Sequence, residues 1–463
     1  MKHRILSPVL CALALSMAVA SLPAQTKQAA AKGFRVEYKE FKLKNGMRVI
    51  LSEDHNAPTY SLAVIYDVGS RNEREGRTGF AHLFEHMMFQ GSANVAKREH
   101  TETIQLVGGA VNGTTNNDRT LYFEMLPSNQ IDLALWLEAD RMRALNVTQE
   151  NLDNQRNAVQ EERRLRIDNQ PYGPTFLAID ETAYDNFAYK HSVIGSMADL
   201  SAANLNDVKE FFRIYYAPNN ATLALVGDFT SEEALAKIKK YFEDIPAQPK
   251  APAVDLTEPA QKAERRRTLE DAFARAPRLD IVYKIPNNTS PDWYALDVAG
   301  DVLVRGQSSR LYQKLVREKQ LAVNVFGGPD SRRGTSIFSF GATLRPGVNP
   351  ADVEKVIYEE IAKVQAELVG EQEIAKIFMQ NRRTRAQSLT GTLARAIQLA
   401  EAAVAHNDPN FVNTLLDKYS KVKAADIQRA AQKYWQENNR TVLTTTVKAA
   451  AASGNGAQQG GRP

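Results

Sequence analysis

The strongest constraint on this chain's fold is an order of elements that occurs twice. Between about 34 and 245 an alternating apolar stretch, "SLAVIYDVGS", is followed by a helix-like stretch, then "RTLYFEMLP", then a helix from about Ile131 to Leu145. Between about 265 and 448 the order returns as "LDIVYKIPN", the helix-like "WYALDVAGDVLVRG", "SIFSFGATLRP" and a helix from about Pro350 to Leu368. Strand-like runs alternating with helix-like runs predict an α+β fold. The repetition predicts two duplicated α/β-sandwich domains, each a mostly antiparallel sheet with helices packed on one face. At 463 residues the chain is too long for one ordinary core, which agrees with two. The blocks 34–245 and 265–448 are joined by "PAQPKAPAVDLTEPAQKAE" at 246–264, where four prolines and few large apolar side chains predict an exposed linker.

The ends read differently. Lys2, His3 and Arg4 precede an apolar run from Ile5 to Ala20, with small-residue cleavage sites after Ala20 and Ala24. That pattern predicts a secretory signal peptide, taken as 1–24, because the run is too short for a membrane span. The expected location is periplasmic, with no stable membrane span. Cys11 is the only cysteine and leaves with the signal, so any metal in the mature chain must be held by His, Asp or Glu. The tail 449–463, rich in Ala, Gly and Gln, predicts disorder. Basic and acidic residues nearly balance, 58 against 54, and no basic run with interleaved aromatics occurs, which argues against a nucleic-acid partner.

Within "GRTGFAHLFEHMMFQGS", residues 76–92, Thr78 predicts the cap of a helix running from near Gly79 to near Gly91. On such a helix His82 and His86 lie one turn apart on one face, so both imidazoles can reach one ion. Glu85 lies on the adjacent flank, placed to touch a metal-bound water without ligating. A third ligand must come from elsewhere. The polar helix "NLDNQRNAVQEERRLRIDN", 151–169, is the source: Glu162 shares the face of Val159, and Glu161 points toward solvent.

Around these residues the chain resembles the pitrilysin and insulinase group of zinc peptidases, the inverzincins, which includes the mitochondrial processing peptidase. The similarity rests on "DVGSRNEREGRTGFAHLFEHMMFQGS", "GGAVNGTTNNDRTLYFEMLP", "AVQEE" and, in the second block, "GQSSRLYQKLVREKQLAV". It extends over nearly all of 34–445 and implies a metalloendopeptidase that hydrolyses internal bonds of peptides or unfolded segments. One Zn2+ per chain is implied, bound by His82, His86 and Glu162, with Glu85 as general base. In the family the distal ligand follows the second histidine by about 76 positions in a V-x-x-E context. Val159-Gln160-Glu161-Glu162 supplies that context, and Glu162 stands 76 positions after His86.

Two departures matter. The family has an acidic residue seven positions before the distal ligand, whereas this chain has Gln155, which can orient but brings no negative charge. The expected result is weaker metal retention or altered activity. Asn112 matches a family asparagine near the substrate backbone, with "TLYFEML" as the edge strand to which an extended peptide adds. Members complete in themselves carry a substrate-gripping arginine followed by "GLAY". Here Arg317 is kept, but Val323 stands where the tyrosine would be and cannot donate a hydrogen bond to an oxyanion. The resemblance then implies a homologous partner subunit, as a heterodimer in preference to a homodimer. The alternative function is a non-catalytic peptide-binding or scaffold subunit of such a heterodimer.

Overall fold

Eleven strands among the described residues form two sheets of the same topology. The structure, a computed structural model, describes residues 35–448; the expected signal peptide at 1–24 and tail at 449–463 lie outside them. The first sheet contains β1 (Lys39–Lys42), β2 (Arg48–Glu53), β3 (Thr59–Tyr66), β4 (Ala110–Thr115), β5 (Thr120–Pro127) and β6 (Ala221–Gly227), in the spatial order β1-β2-β6-β3-β5-β4. The second contains β7 (Arg265–Asp271), β8 (Arg278–Ile285), β9 (Ala322–Asp330), β10 (Ser336–Leu344) and β11 (Arg440–Val447), ordered β7-β11-β8-β10-β9. Leaving out β1, each strand of the first sheet has a counterpart in the second. In both sheets the one parallel pair is the same, β2 with β6 and β7 with β11, and the other pairs are antiparallel.

The two faces of each sheet are covered from different places. In the first, Val49, Leu51, Leu62, Val64, Leu223 and Leu225 pack beneath the helices of their own half. Ile50, Ala63, Ile65, Ala224 and Val226 point the other way and meet Ala396, Leu399, Ala400 and Ala403. Those four lie on the helix Thr392–His406, which belongs to the second half of the chain. The second sheet is covered reciprocally. Its own helices pack on Leu279, Ile281, Phe338 and Phe340, while Tyr184 and Tyr189 from the first half lie on Val282 and Ile337. The helix Gly173–Ala183 joins this contact through Thr175, whose hydroxyl is 2.5 Å from that of Thr445. Burial on both faces explains why β3 is apolar at successive positions from Leu62 to Tyr66, where the sequence pattern predicts alternation, and why β6 is apolar from Leu223 to Val226.

Segment 246–264 carries no helix or strand. Its far end is pinned: the Glu258 carboxylate accepts the N–H groups of Asp185 and Asn186 at 2.9 and 3.0 Å and the Lys284 ammonium at 2.5 Å. No helix of the described residues is long and apolar enough to cross a membrane.

Candidate active site

The motif helix α1 (Phe80–Met87) starts from Gly79, whose φ of +85° is left-handed. A Cβ at that position would stand 2.6 Å from the Ile194 carbonyl oxygen, so only glycine fits. Thr78 is not the cap, contrary to the sequence expectation: its hydroxyl and N–H both go to Asp199. The cap is Glu73, whose carboxylate accepts the N–H groups of Gly79 and Ala81, each at 2.8 Å. Phe80, Leu83, Phe84 and Met87 anchor α1 in the core, which turns His82, Glu85 and His86 to the half-buried side.

The facing helix, called α4 here after α2 (Glu99–Leu106) and α3 (Ile131–Ala144), spans Gln149–Arg163. Thr148 caps it by accepting the Asn151 N–H at 3.2 Å. Leu152, Gln155 and Val159 turn inward, and Glu162 meets the histidines. Its Oε2 lies 3.7 Å from His82 Nε2 and 3.2 Å from His86 Nε2, and the three donor atoms are all within 4.8 Å of one another. A tetrahedral ion with bonds of about 2.1 Å sets its ligand atoms about 3.4 Å apart, so the spacing and the N, N, O donor set both suit zinc. Glu161, by contrast, is exposed and paired with Arg164 at 3.0 Å. Burial and the neighbouring His86 push His82 down to about 4, leaving a neutral imidazole with a free lone pair. The hydrogen bond from His86 holds Glu162 below its ordinary value, and burial pushes Glu85 above its own.

Three partners were not foreseen. Thr115 donates to Glu85 Oε2 at 2.6 Å. Gly113 lies over the same side chain, where a Cβ would come within 3.1 Å of Glu85 Cγ. Gly113 and Thr115 are two apart on β4, so strand alternation was the available signal. Arg166 bonds Glu162 Oε1 at 2.7 Å from the π-helical turn Arg164–Asp168, leaving Oε2 toward the histidines.

The remaining expected residues divide. Gln155 is buried on α4, but its amide donates to Asn154 at 2.7 Å and no hydrogen bond joins it to either histidine; His82 Nδ1 is buried without a partner. Asn112 is exposed on β4, accepting the Gly113 N–H at 2.8 Å. The edge strand is β4, not "TLYFEML": that sequence is β5, which is flanked by β3 and β4. Arg317 is exposed in the π-helical segment Tyr312–Glu318, over the Tyr312 ring. Val323, 56% exposed, is the second residue of β9, the matching edge of the second sheet.

Behind Tyr122, which faces Gly113 across the β4–β5 pair, a second charged group is buried. His100 lies 2.7 Å from Glu124, Arg141 bonds both oxygens of Glu138, and the guanidinium sits over the Tyr122 ring at 4.4 Å. Arg141 already supplies the positive charge these carboxylates need, which makes the cluster an ion-pair network rather than a cation site.

Residues 48–196 match the family model described as "Insulinase (Peptidase family M16)", and residues 202–381 match "Peptidase M16 inactive domain". The chain belongs to the M16 insulinase family. The zinc protease PqqE of Helicobacter pylori is 29% identical over 414 residues, covering 89% of this chain and 93% of that one. A crystal structure of a protease from Helicobacter pylori superposes with a TM-score of 0.85 at 29% identity, over 89% of this chain and all of that one. The periplasmic protease PqqL of Escherichia coli shares the fold, with a TM-score of 0.73 at 18% identity; the match spans 89% of this M16 chain but 48% of PqqL. Among the described residues, both groupings of three His or carboxylate donors fall within the first matched segment.

Proposed function

We propose that this M16 chain is a zinc metalloendopeptidase acting on peptides or unfolded segments. The observation that carries the reading is the convergence of His82, His86 and Glu162 beside a half-buried Glu85 whose second oxygen is held by Thr115. Zinc in that donor set would supply an acidified water and a positive charge at the scissile carbonyl. Glu85 Oε1 takes the water's proton and later returns it to the leaving amine, while the Thr115 hydroxyl keeps Oε2 engaged. Burial raises the proton affinity of Glu85, which strengthens it as a base. The free edge of β4 carries Asn112 and suits an extended substrate added as one more strand.

The site lies in a first domain, 34–245, joined through 246–264 to a second, 265–448, that brings no metal motif. A homologous partner subunit would supply the oxyanion donor that Val323 cannot; the half-length match to PqqL supports such a pairing. A signal peptide at 1–24 would deliver the chain to the periplasm. One observation favours the alternative, a non-catalytic peptide-binding subunit: Gln155 forms no bond to the histidines, and His82 Nδ1 is left unpartnered.

The deciding experiment is Glu85→Gln in the purified chain, with and without a co-expressed homologue. We expect one zinc per chain in variant and wild type, and cleavage of a fluorogenic peptide reduced by at least ~100-fold. Retained turnover sinks the assignment, and full wild-type activity in a monomer sinks the partner.

A further inference from the structure

A cavity of about 360 Å³ opens where the β4–β5 turn meets loops and helices of the second half. Its wall contains two carboxylates, and both are engaged. Glu401 takes Arg119, and Asp118 takes Arg71, the Tyr189 hydroxyl and the Arg333 N–H. Arg333 in turn is neutralised by Asp67, at 2.7 and 2.9 Å.

Arg385, on the helix Glu371–Ser388, is the exception. It is half-buried and makes no ion pair with any described carboxylate. Its hydrogen bonds go to neutral oxygens, the Gln398 amide and the Val412 carbonyl. A guanidinium has five N–H donors, so these two bonds leave three over, and the Nε–H is buried with no partner. Burial pushes Arg385 below its ordinary value, and no carboxylate pulls it back. A half-buried cation without a counter-charge is costly, and leaving its donors unpaired adds to that cost. Apolar surface on the wall comes from Ile65, Val404, Phe411 and Leu415, beside polar side chains such as Asn287, Asn288 and Gln398. The volume is that of a small-molecule site, and the mixed lining sets apolar surface beside one cation that no carboxylate neutralises.

We propose that this cavity binds a small organic carboxylate, its oxygens on the free N–H groups of Arg385 and its apolar body against Phe411. Guanidinium pairs carboxylates through two N–H groups, and each terminal nitrogen of Arg385 keeps one N–H beyond its bond to Gln398 or Val412. The class includes free carboxylic acids and the C-terminus of a short peptide. The cavity has none of His82, Glu85, His86 and Glu162 in its lining, and the proposal does not depend on their function.

The test is calorimetric titration of the full chain with phenylacetate, phenylacetamide, inorganic phosphate, and Ala-Phe with a free or amidated C-terminus. Phenylacetate or free Ala-Phe should bind saturably, whereas both neutral amides should not. Tighter binding of Ala-Phe assigns a peptide end; tighter binding of phenylacetate assigns a free acid. Arg385→Gln should weaken binding at least tenfold, with Arg385→Lys between. Without ligand, Arg385→Gln should melt no lower than wild type, since it removes an uncompensated charge, and should cleave a fluorogenic peptide at the wild-type rate. Absence of carboxylate binding, binding of phosphate alone, or equal binding by Arg385→Gln overturns the proposal. A lowered melting point in Arg385→Gln with no change in affinity would make Arg385 merely structural.

Discussion

At Glu85 two neighbours decide what one carboxylate can do: Thr115 occupies Oε2, and Gly113 leaves room beside Oε1. A hydrogen bond to a charged group contributes roughly 1.5–3 kcal/mol. Thr115→Val should therefore lower kcat by about ten- to a hundredfold while metal analysis finds zinc unchanged. The buried network behind Tyr122 makes a different prediction. Burial pushes Glu124 and Glu138 up to about 7 and His100 down to about 3. A carboxyl whose folded value is raised stabilises the fold below its unfolded value, near 4.5, and that contribution is lost as pH climbs to about 7. His100 acts in the opposite sense below 6.5, but one imidazole opposes two carboxyls, so stability should fall between about pH 4.5 and 7. Glu124→Gln stays neutral; thermal melts should place it above wild type at pH 8, by on the order of a few degrees, with the gap closing at pH 5. His82, His86 and Glu162 were legible because helical periodicity puts them on facing sides of two helices. Glu73 and Thr115 were not, because each reaches the site from a turn or strand whose position depends on the whole sheet; Arg166, four residues after Glu162, lay within reach of the same helical spacing.

Elements were legible where a single periodicity ran long enough. Ile131–Ala144 and Pro350–Ala366 fall within two residues of their expected ends, and β3, β5, β8 and β10 coincide with the quoted apolar runs. The edge was misread for a physical reason: β4, "AVNGTT", is partly exposed and has no large apolar residue besides Val111, so it carries the signature of a turn rather than a strand. The exchange of helices was equally hidden. Thr392–His406 has an ordinary amphipathic pattern, and nothing in that pattern says which sheet it covers. Leu399, fully buried on that helix, provides the check. Leu399→Ala should cost roughly 2–5 kcal/mol in urea unfolding, and near-neutral behaviour would contradict the packing.

Across the molecule, the duplication was visible as repeated element order and reappears as one shared order of five strands in each sheet, with β1 extra in the first. The reciprocal cover described above has a consequence in time. The first sheet is complete in sequence at Gly227, yet one of its faces waits for residues 392–406. The second sheet waits longer, since β11, paired on both sides, is the last strand made. A chain emerging from the ribosome at about 5–20 residues per second therefore exposes an unfinished apolar face for many seconds. Neither half can finish first, and folding becomes a single late event in which residues 392–447 close both sheets together.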